Sequence, residues 1–311
     1  MTFKSYLQNE LPPEFISGDK GIGWFDLHKI YSTCPAKYKF EERENKNVTA
    51  IAEHAAILNP AEFERRFVRE PAKEDYVDAL TSDKDICAWL KDKGVGGYSG
   101  KKYPELLELV KQTGDKPLIW NEFLADFYDS IGNKSAVPAS TFDKILQMRA
   151  VIFGNKKFAE KVSDSFNDVT LIGEFNGVLM HLRYDVISPN GDIIDYVGCT
   201  SADPDEFKNQ AIRGGYYMKQ ALLHDAFVQA YDHRPASQSI LAQERNFPNI
   251  PVNFNITDVF LEIGRIQYKA AINLFKQCSG KDVWPTYTLN DDATDLEVPS
   301  WYSKRFGLEV K

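Results

Sequence analysis

Only four cysteines occur in the 311 residues, at positions 34, 87, 199 and 278. None belongs to a Cys-x-x-Cys pair, so the spacing offers neither a structural zinc site nor a disulfide framework, and reduced, mostly buried thiols are expected. Long apolar runs are missing too. No stretch approaches the roughly 20 residues needed to span a bilayer. The opening MTFKSYLQNELPPEF has neither the charged start nor the apolar run of a signal peptide, so a cytoplasmic protein without a membrane partner is expected. Positive charge is in short supply: 37 Lys and Arg against 45 Asp and Glu leave a net charge of −8. That excludes a protein coating nucleic acid through a broad basic face, which has to displace many counterions. A local basic channel around an acidic metal site remains compatible with it. Internal repeats and low-complexity segments are absent.

What is present is a 43% hydrophobic chain, enough for a substantial core in one large domain or two ordinary ones. Residues 25–80 read as helices, with Pro60 interrupting the second run. The stretch DICAWLKDKGVGGYSGKKYPELLELVKQTG, 85–114, reads as helix, glycine-rich turn, helix. It is too small to bury a core alone, and so is expected to lie as an insert against the main body. Residues 117–165 continue helical, with Trp120, Phe123, Leu124 and Phe127 on one face. The period then changes. Residues 168–174, 177–187 and 192–198 are short, Val/Ile/Leu-rich and separated by FNG and SPNG, which predicts three antiparallel strands. A long helix from about Pro204 to Ala230 follows, then a strand in NFNITDVFLEIG and a closing helix in RIQYKAAINLFKQCSG. The expected class is α/β with a mixed central sheet flanked by helices. The expected divisions are 1–80, helical; 81–114, the insert; 115–165, a helical connection; and 166–311, the core.

In MHLRYDV, strand alternation puts His181, Arg183 and Asp185 on one face. In DIIDYVG it groups Ile193, Asp195 and Val197. If the two strands pair through SPNG, Asp185 and Asp195 converge, and two such carboxylates suit Mg²⁺ or Mn²⁺ completed by phosphate and water. Two solvated strand-end aspartates satisfy the same spacing.

RYDVISPNGDIIDYVGCTSADPDEF resembles the strand pair of PD-(D/E)XK nucleases, specifically the phage recombination exonucleases of the exonuclease VIII (RecE) type. CPAKYKFEE followed by AEHAAILNPAEFERRFV is similar to that family's N-terminal part. GYSGKKYPELLELV with PLIWNEFL is similar to its SAP-like insert, GGYYMKQALLHDAF to its Tyr-x-x-Gln helix, and IGRIQYKAAINLFKQCSGKDVWPTY with LEVPSWYSKR to its C-terminal end. The resemblance implies a Mg²⁺-dependent exonuclease that degrades linear duplex DNA 5′ to 3′. The implied partners are duplex DNA ends, a single-strand annealing protein and further copies of the chain in a ring, a tetramer. It implies His54, Asp185 and Asp195 as metal ligands and Gln220 as the group orienting the site. Around Gln220, helical spacing adds Tyr217 and His224 as border residues and Arg213 as a phosphate contact, while Tyr216 is expected against the sheet and Lys219 about 100° away. His28 and His233 have no comparable context and are read as structural. Lys101 and Lys102 are candidates for a channel lining.

One departure matters. The second acidic motif of the resembled family is Asp or Glu, any residue, then Lys; here it is Asp195, Tyr196, Val197. A lysine there positions water and stabilises charge on the scissile phosphate, and valine does neither. Arg183 is the expected substitute, because it shares the face of Asp185. The alternative is a catalytically impaired protein that binds DNA ends or a recombination or defence partner. Ala50 in place of a glycine and Asp168 in place of a glutamate are smaller departures.

Overall fold

The computed structural model describes residues 3–7, 21–42, 47–163, 166–288 and 295–308, with Glu10, Pro12, Phe15 and Ala293 between them. The expected helical connection ends at residues 164 and 165, which lie outside the described residues, as does part of the N-terminal stretch. In chain order the elements are β1 (Lys4–Leu7), α1 (Trp24–Ser32), α2 (Pro35–Phe40), α3 (Val48–Leu58), α4 (Pro60–Arg66), β2 (Phe67–Arg69), α5 (Asp83–Asp92), α6 (Tyr103–Gln112), α7 (Trp120–Ser130), β3 (Ser135–Val137), α8 (Ala139–Gly154) and α9 (Lys156–Ser163). Then come β4 (Phe166–Phe175), β5 (Val178–Ile187), β6 (Ile193–Cys199), α10 (Pro204–Arg213), α11 (Tyr216–Tyr231), β7 (Gln238–Glu244), β8 (Pro251–Asn255), α12 (Asp258–Lys281) and α13 (Ser300–Ser303).

Six strands form one sheet in the order β1-β4-β5-β6-β7-β8. All its pairings are antiparallel except β6 with β7, and that parallel pair is joined by α10 and α11, the long crossover that parallel neighbours require. The β4–β5 hairpin closes on Asn176-Gly177, whose φ values of +49° and +74° suit the turn that the twist of two adjoining strands favours. Helices cover both faces. On one, Met218, Leu222 and Phe227 of α11, Leu261 and Ile272 of α12 and Leu27 of α1 bury the Met180, Leu182 and Tyr184 side of β5. On the other, Ile57, Leu58 and Ile152 pack on Val186, Ile194 and Tyr196. The result is an α/β fold with a mixed, mostly antiparallel central sheet between helices.

Three expectations change. The strand expected in NFNITDVFLEIG stops at Asn255, because the Thr257 side chain accepts from the Phe260 amide and caps α12. The long helix after Pro204 breaks at Gly214-Gly215: Gly215 has φ +71°, and a Cβ there would lie 2.3 Å from Cδ2 of His28. The insert has a core after all. Ile86, Leu90, Leu106 and Val110 are buried against one another under Leu80, Trp89, Tyr98 and Ile119. Among the described residues no helix is long and apolar enough to cross a membrane.

Candidate active site

The site lies where two strands part company. β5 and β6 pair only at Val186↔Ile194 and Ile187↔Ile193; beyond that point they splay. Splaying strips ladder partners from the backbone, and buried amides need replacements. Asp185 supplies one: its Oδ2 accepts from the Tyr196 amide at 2.9 Å. Asp195, the next residue back along β6, is 1% exposed and Asp185 5%, and the two carboxyl groups meet in the gap. They are not solvated strand-end aspartates.

Each remaining oxygen is claimed. His54, on α3, places Nε2 at 3.0 Å from Asp185 Oδ1. Lys219 places Nζ at 2.5 Å from Asp195 Oδ1, and Gln220 donates from Nε2 to Asp195 Oδ2 at 2.8 Å. The expectation that Lys219 points away is thus corrected. Adjacent helical residues do diverge by about 100°, but the four-carbon lysine stem is long enough to return to the aspartate that Gln220 also touches. Trp24 of α1 backs the ammonium, with Nζ 5.4 Å from its ring centroid.

Burial raises the cost of negative charge here. It pushes Asp195 up to about 7, against the pull of Lys219 and with the help of the Asp185 charge. Asp185 feels the same burial, but His54 and Lys219 hold it well below the usual carboxylate range. The protons belong to the pair rather than to either residue, and the arrangement favours a cation between the carboxylates.

A divalent metal fits that chemistry in part. Among the described residues no three His, Cys, Asp or Glu side chains form a ready ligand cage, so the expected set of His54, Asp185 and Asp195 is not preassembled. The carboxylate pair is in place, with the His54 imidazole against it. A hard ion such as Mg²⁺ needs only one or two carboxylates when phosphate and water complete its shell.

Other expected residues are placed as follows. Arg183 reaches the site but is tied to Asp168: its Nε lies 2.9 Å from Asp168 Oδ1 and its Nη2 contacts the same oxygen. It also comes within 3.5 Å of His54 Nδ1, so it braces the histidine rather than the carboxylate pair. Asp168 is buried, opposite Asp185 on β4, in the left-handed region at φ +58°, a conformation aspartate tolerates better than most residues.

Gln220 is fully buried. Its Oε1 accepts from Gln238 Nε2 at 2.8 Å, and Gln238 Oε1 meets His224 Nδ1 at 3.0 Å. Gln220 therefore orients Asp195 and reaches no DNA, and His224 acts two hydrogen bonds away from it. Tyr217 does not border the site: it stacks on Phe260 of α12, ring centroids 3.8 Å apart, because the i−3 position from Gln220 falls on the flank where α12 crosses. Tyr216 packs on Phe207 and on the cluster that holds Cys199, Ile240 and Ala242 of the sheet, as expected. Arg213 is exposed in the last turn of α10.

A cleft of about 800 Å³ opens beside the site, with Trp24, Phe25, His28, Lys29, His181 and Arg183 in its wall. Its α1 residues and Gln238 carried no recognisable pattern in the sequence. Their roles depend on the crossing of α1 over α11 and on β7, long-range packing that local sequence pattern does not encode.

The chain belongs to the family described as PDDEXK-like domain of unknown function (DUF3799), whose pattern matches residues 108–295, more than half of its length. Among solved structures, a candidate exonuclease from Eubacterium rectale matches at TM-score 0.53 and 13% identity, covering 97% of this chain and 99% of that one. At that identity the likeness shows a shared fold. The structure of SSO0001 is far more distant, at TM-score 0.26 and 11% identity over 74% of this chain and 87% of that one. A comparison with curated proteins gives no match.

Proposed function

We propose that the protein is a divalent-metal-dependent DNA exonuclease of the exonuclease VIII type, which degrades linear duplex 5′ to 3′ with Mg²⁺ or Mn²⁺. The observation that carries this reading is the buried Asp185–Asp195 pair at the mouth of the β5–β6 splay, in a PDDEXK-like fold with a cleft alongside. A divalent ion held by Asp185 and Asp195, with His54 as a third donor, would supply Lewis-acid polarisation of the scissile phosphate. The chain's own residues do the rest. Gln220 fixes the rotamer of Asp195, the Tyr196 amide and His54 fix that of Asp185, and Arg183, anchored by Asp168, braces His54. The cleft receives the DNA strand, with Trp24 and Phe25 as ring surfaces for bases and Lys29 and Lys37 as phosphate partners.

The single-strand annealing partner and the ring, a tetramer of this chain threaded on duplex, belong to the same reading. A second reading, a protein that binds DNA ends without cutting them, is favoured by Val197 alone.

The test is digestion of end-labelled linear duplex with and without Mg²⁺, beside calorimetric titration with Mn²⁺. Digestion only with metal is expected, with Asp185→Ala and Asp195→Ala losing both turnover and Mn²⁺ binding. Unchanged Mn²⁺ binding in both variants would remove the metal site. Metal and duplex binding without digestion would select the second reading.

A further inference from the structure

We infer that Lys219, delivered from α11, takes the place of the lysine that β6 lacks at Val197, as the cationic donor to the scissile phosphate; this rests on the nuclease reading above. The register of helix over strand carries the argument. Val197 and Asp195 lie two apart on one face of β6, and Tyr216 and Lys219 lie three apart on the facing side of α11. Val197 and Tyr216 pack against the same buried cluster around Phe207 and Ile240, and the Lys219 ammonium reaches Asp195 at 2.5 Å. With valine on the strand, it is α11 that brings a lysine to the acidic ligand, three residues after Tyr216.

Three features make Lys219 more than an ion-pair partner. Its side chain is only 13% exposed, and ordering a lysine stem in a buried site costs entropy that a merely solvated one avoids. It makes one hydrogen bond among the described residues, so two of its three N–H donors remain for a phosphate oxygen. And it lies over Trp24, which is itself in the cleft wall, so the ammonium touches both the carboxylate pair and the ring that borders the cleft. Arg183, the cation nearest His54, is committed to Asp168.

In the reaction a water oxygen bonds to phosphorus and the bond from phosphorus to the 3′ oxygen breaks. One water proton ends on that leaving oxygen and the other goes to solvent. Lys219 changes none of these counts: it donates to the non-bridging oxygen on which charge grows.

The experiment compares wild type, Lys219→Met, Lys219→Arg, Val197→Lys and the double variant Val197→Lys/Lys219→Met on end-labelled linear duplex with Mg²⁺, with Mn²⁺ titration of each. Lys219→Met is expected to lose about 10²–10³-fold in turnover while keeping Mn²⁺ binding. The added strand lysine is expected to restore at least tenfold of it in the double variant. Should the methionine variant not fold, Lys219→Arg keeps the ion pair to Asp195, and a fall of at least tenfold with Mn²⁺ binding intact supports the role, since a planar guanidinium does not reproduce a point ammonium. Wild-type turnover in Lys219→Met, or in Lys219→Arg if that is the variant read, overturns the role of Lys219 and leaves the nuclease reading standing. Loss of Mn²⁺ binding together with turnover in Lys219→Met makes Lys219 structural and overturns the role as well. A wild type inert on every linear duplex ends both.

Discussion

At the scale of single residues, the site is held by a file of hydrogen bonds running inward from the surface: His224, Gln238, Gln220, Asp195. The energetic weight falls at the buried end. Gln220→Ala removes the donor to the buried Asp195 Oδ2 and one of the two acceptors of the Gln238 amide, which keeps its bond to the Gln220 carbonyl at 2.9 Å; a buried polar group left unpaired costs about 1–3 kcal/mol. We therefore expect Gln220→Ala to lower unfolding stability by about 2–4 kcal/mol in urea and to weaken Mn²⁺ binding, because Asp195 loses its rotamer clamp. His224 is half-buried at the outer end, so His224→Ala should cost less than about 1 kcal/mol and leave Mn²⁺ binding unchanged. Equal effects of the two variants would mean that the file does not transmit orientation to Asp195. Asp185 and Asp195 were legible in the sequence because strand alternation and a short turn suffice to bring them together. Lys219 was not, because alternation and helical angles describe where Cβ points, and a lysine carries its charge far beyond that, at the end of a flexible four-carbon stem.

At the scale of elements, α3 is locked to β6 by one buried carboxylate. Glu53 lies 5% exposed over Gly198, where a Cβ would come within 1.8 Å of Glu53 Oε1, and Arg245 grips it at 2.7 and 3.1 Å. That contact sets the height of α3 on the sheet, and so the place of His54 against Asp185. The elements that sequence pattern reached are those with clean periodicity: the β4-β5-β6 meander, and the helix pair of the insert, whose bounds at 83–92 and 103–112 fall inside the expected unit. β7 escaped because it is buried on both faces, and a parallel central strand lacks the alternation that marks a half-exposed one. The insert differs from expectation in owning a core, and the chain enters and leaves it side by side: the Leu80 amide donates to the Leu118 carbonyl at 2.8 Å and Trp120 to Leu80 at 3.0 Å. Replacing residues 82–117 by a short glycine-serine link should thus leave cooperative unfolding and Mn²⁺ binding close to those of the full chain. A deletion variant that unfolds or loses the metal would show that the insert supports the body.

At the scale of the whole molecule, the difficulty is charge. A protein of net −8 repels a duplex at long range, and each phosphate it neutralises must be met by a cation placed locally. Lys29, Lys37 and Arg183 line the cleft, with Lys219 against its Trp24, and so few cations serve a strand end but not a duplex held for many turnovers. A ring of copies removes that demand by enclosing the duplex topologically, so that retention no longer depends on charge. The surface has the apolar area for such contacts: Val259, Ile263 and Ile266 lie at helical spacing along α12, 70%, 40% and 63% exposed, a stripe that a monomer would leave in water. We expect the protein at micromolar concentration to sediment well above its 35.4 kDa monomer mass, as a tetramer, and Ile263→Asp/Ile266→Asp to lower that mass if the stripe is a contact between copies. An unchanged mass in the charged variant would place the contacts elsewhere on the chain. A wild-type monomer would remove threading, and with it the means by which so acidic a protein stays on its substrate; digestion, if seen, should then be released by modest salt after each encounter, because only the few cleft cations would oppose dissociation.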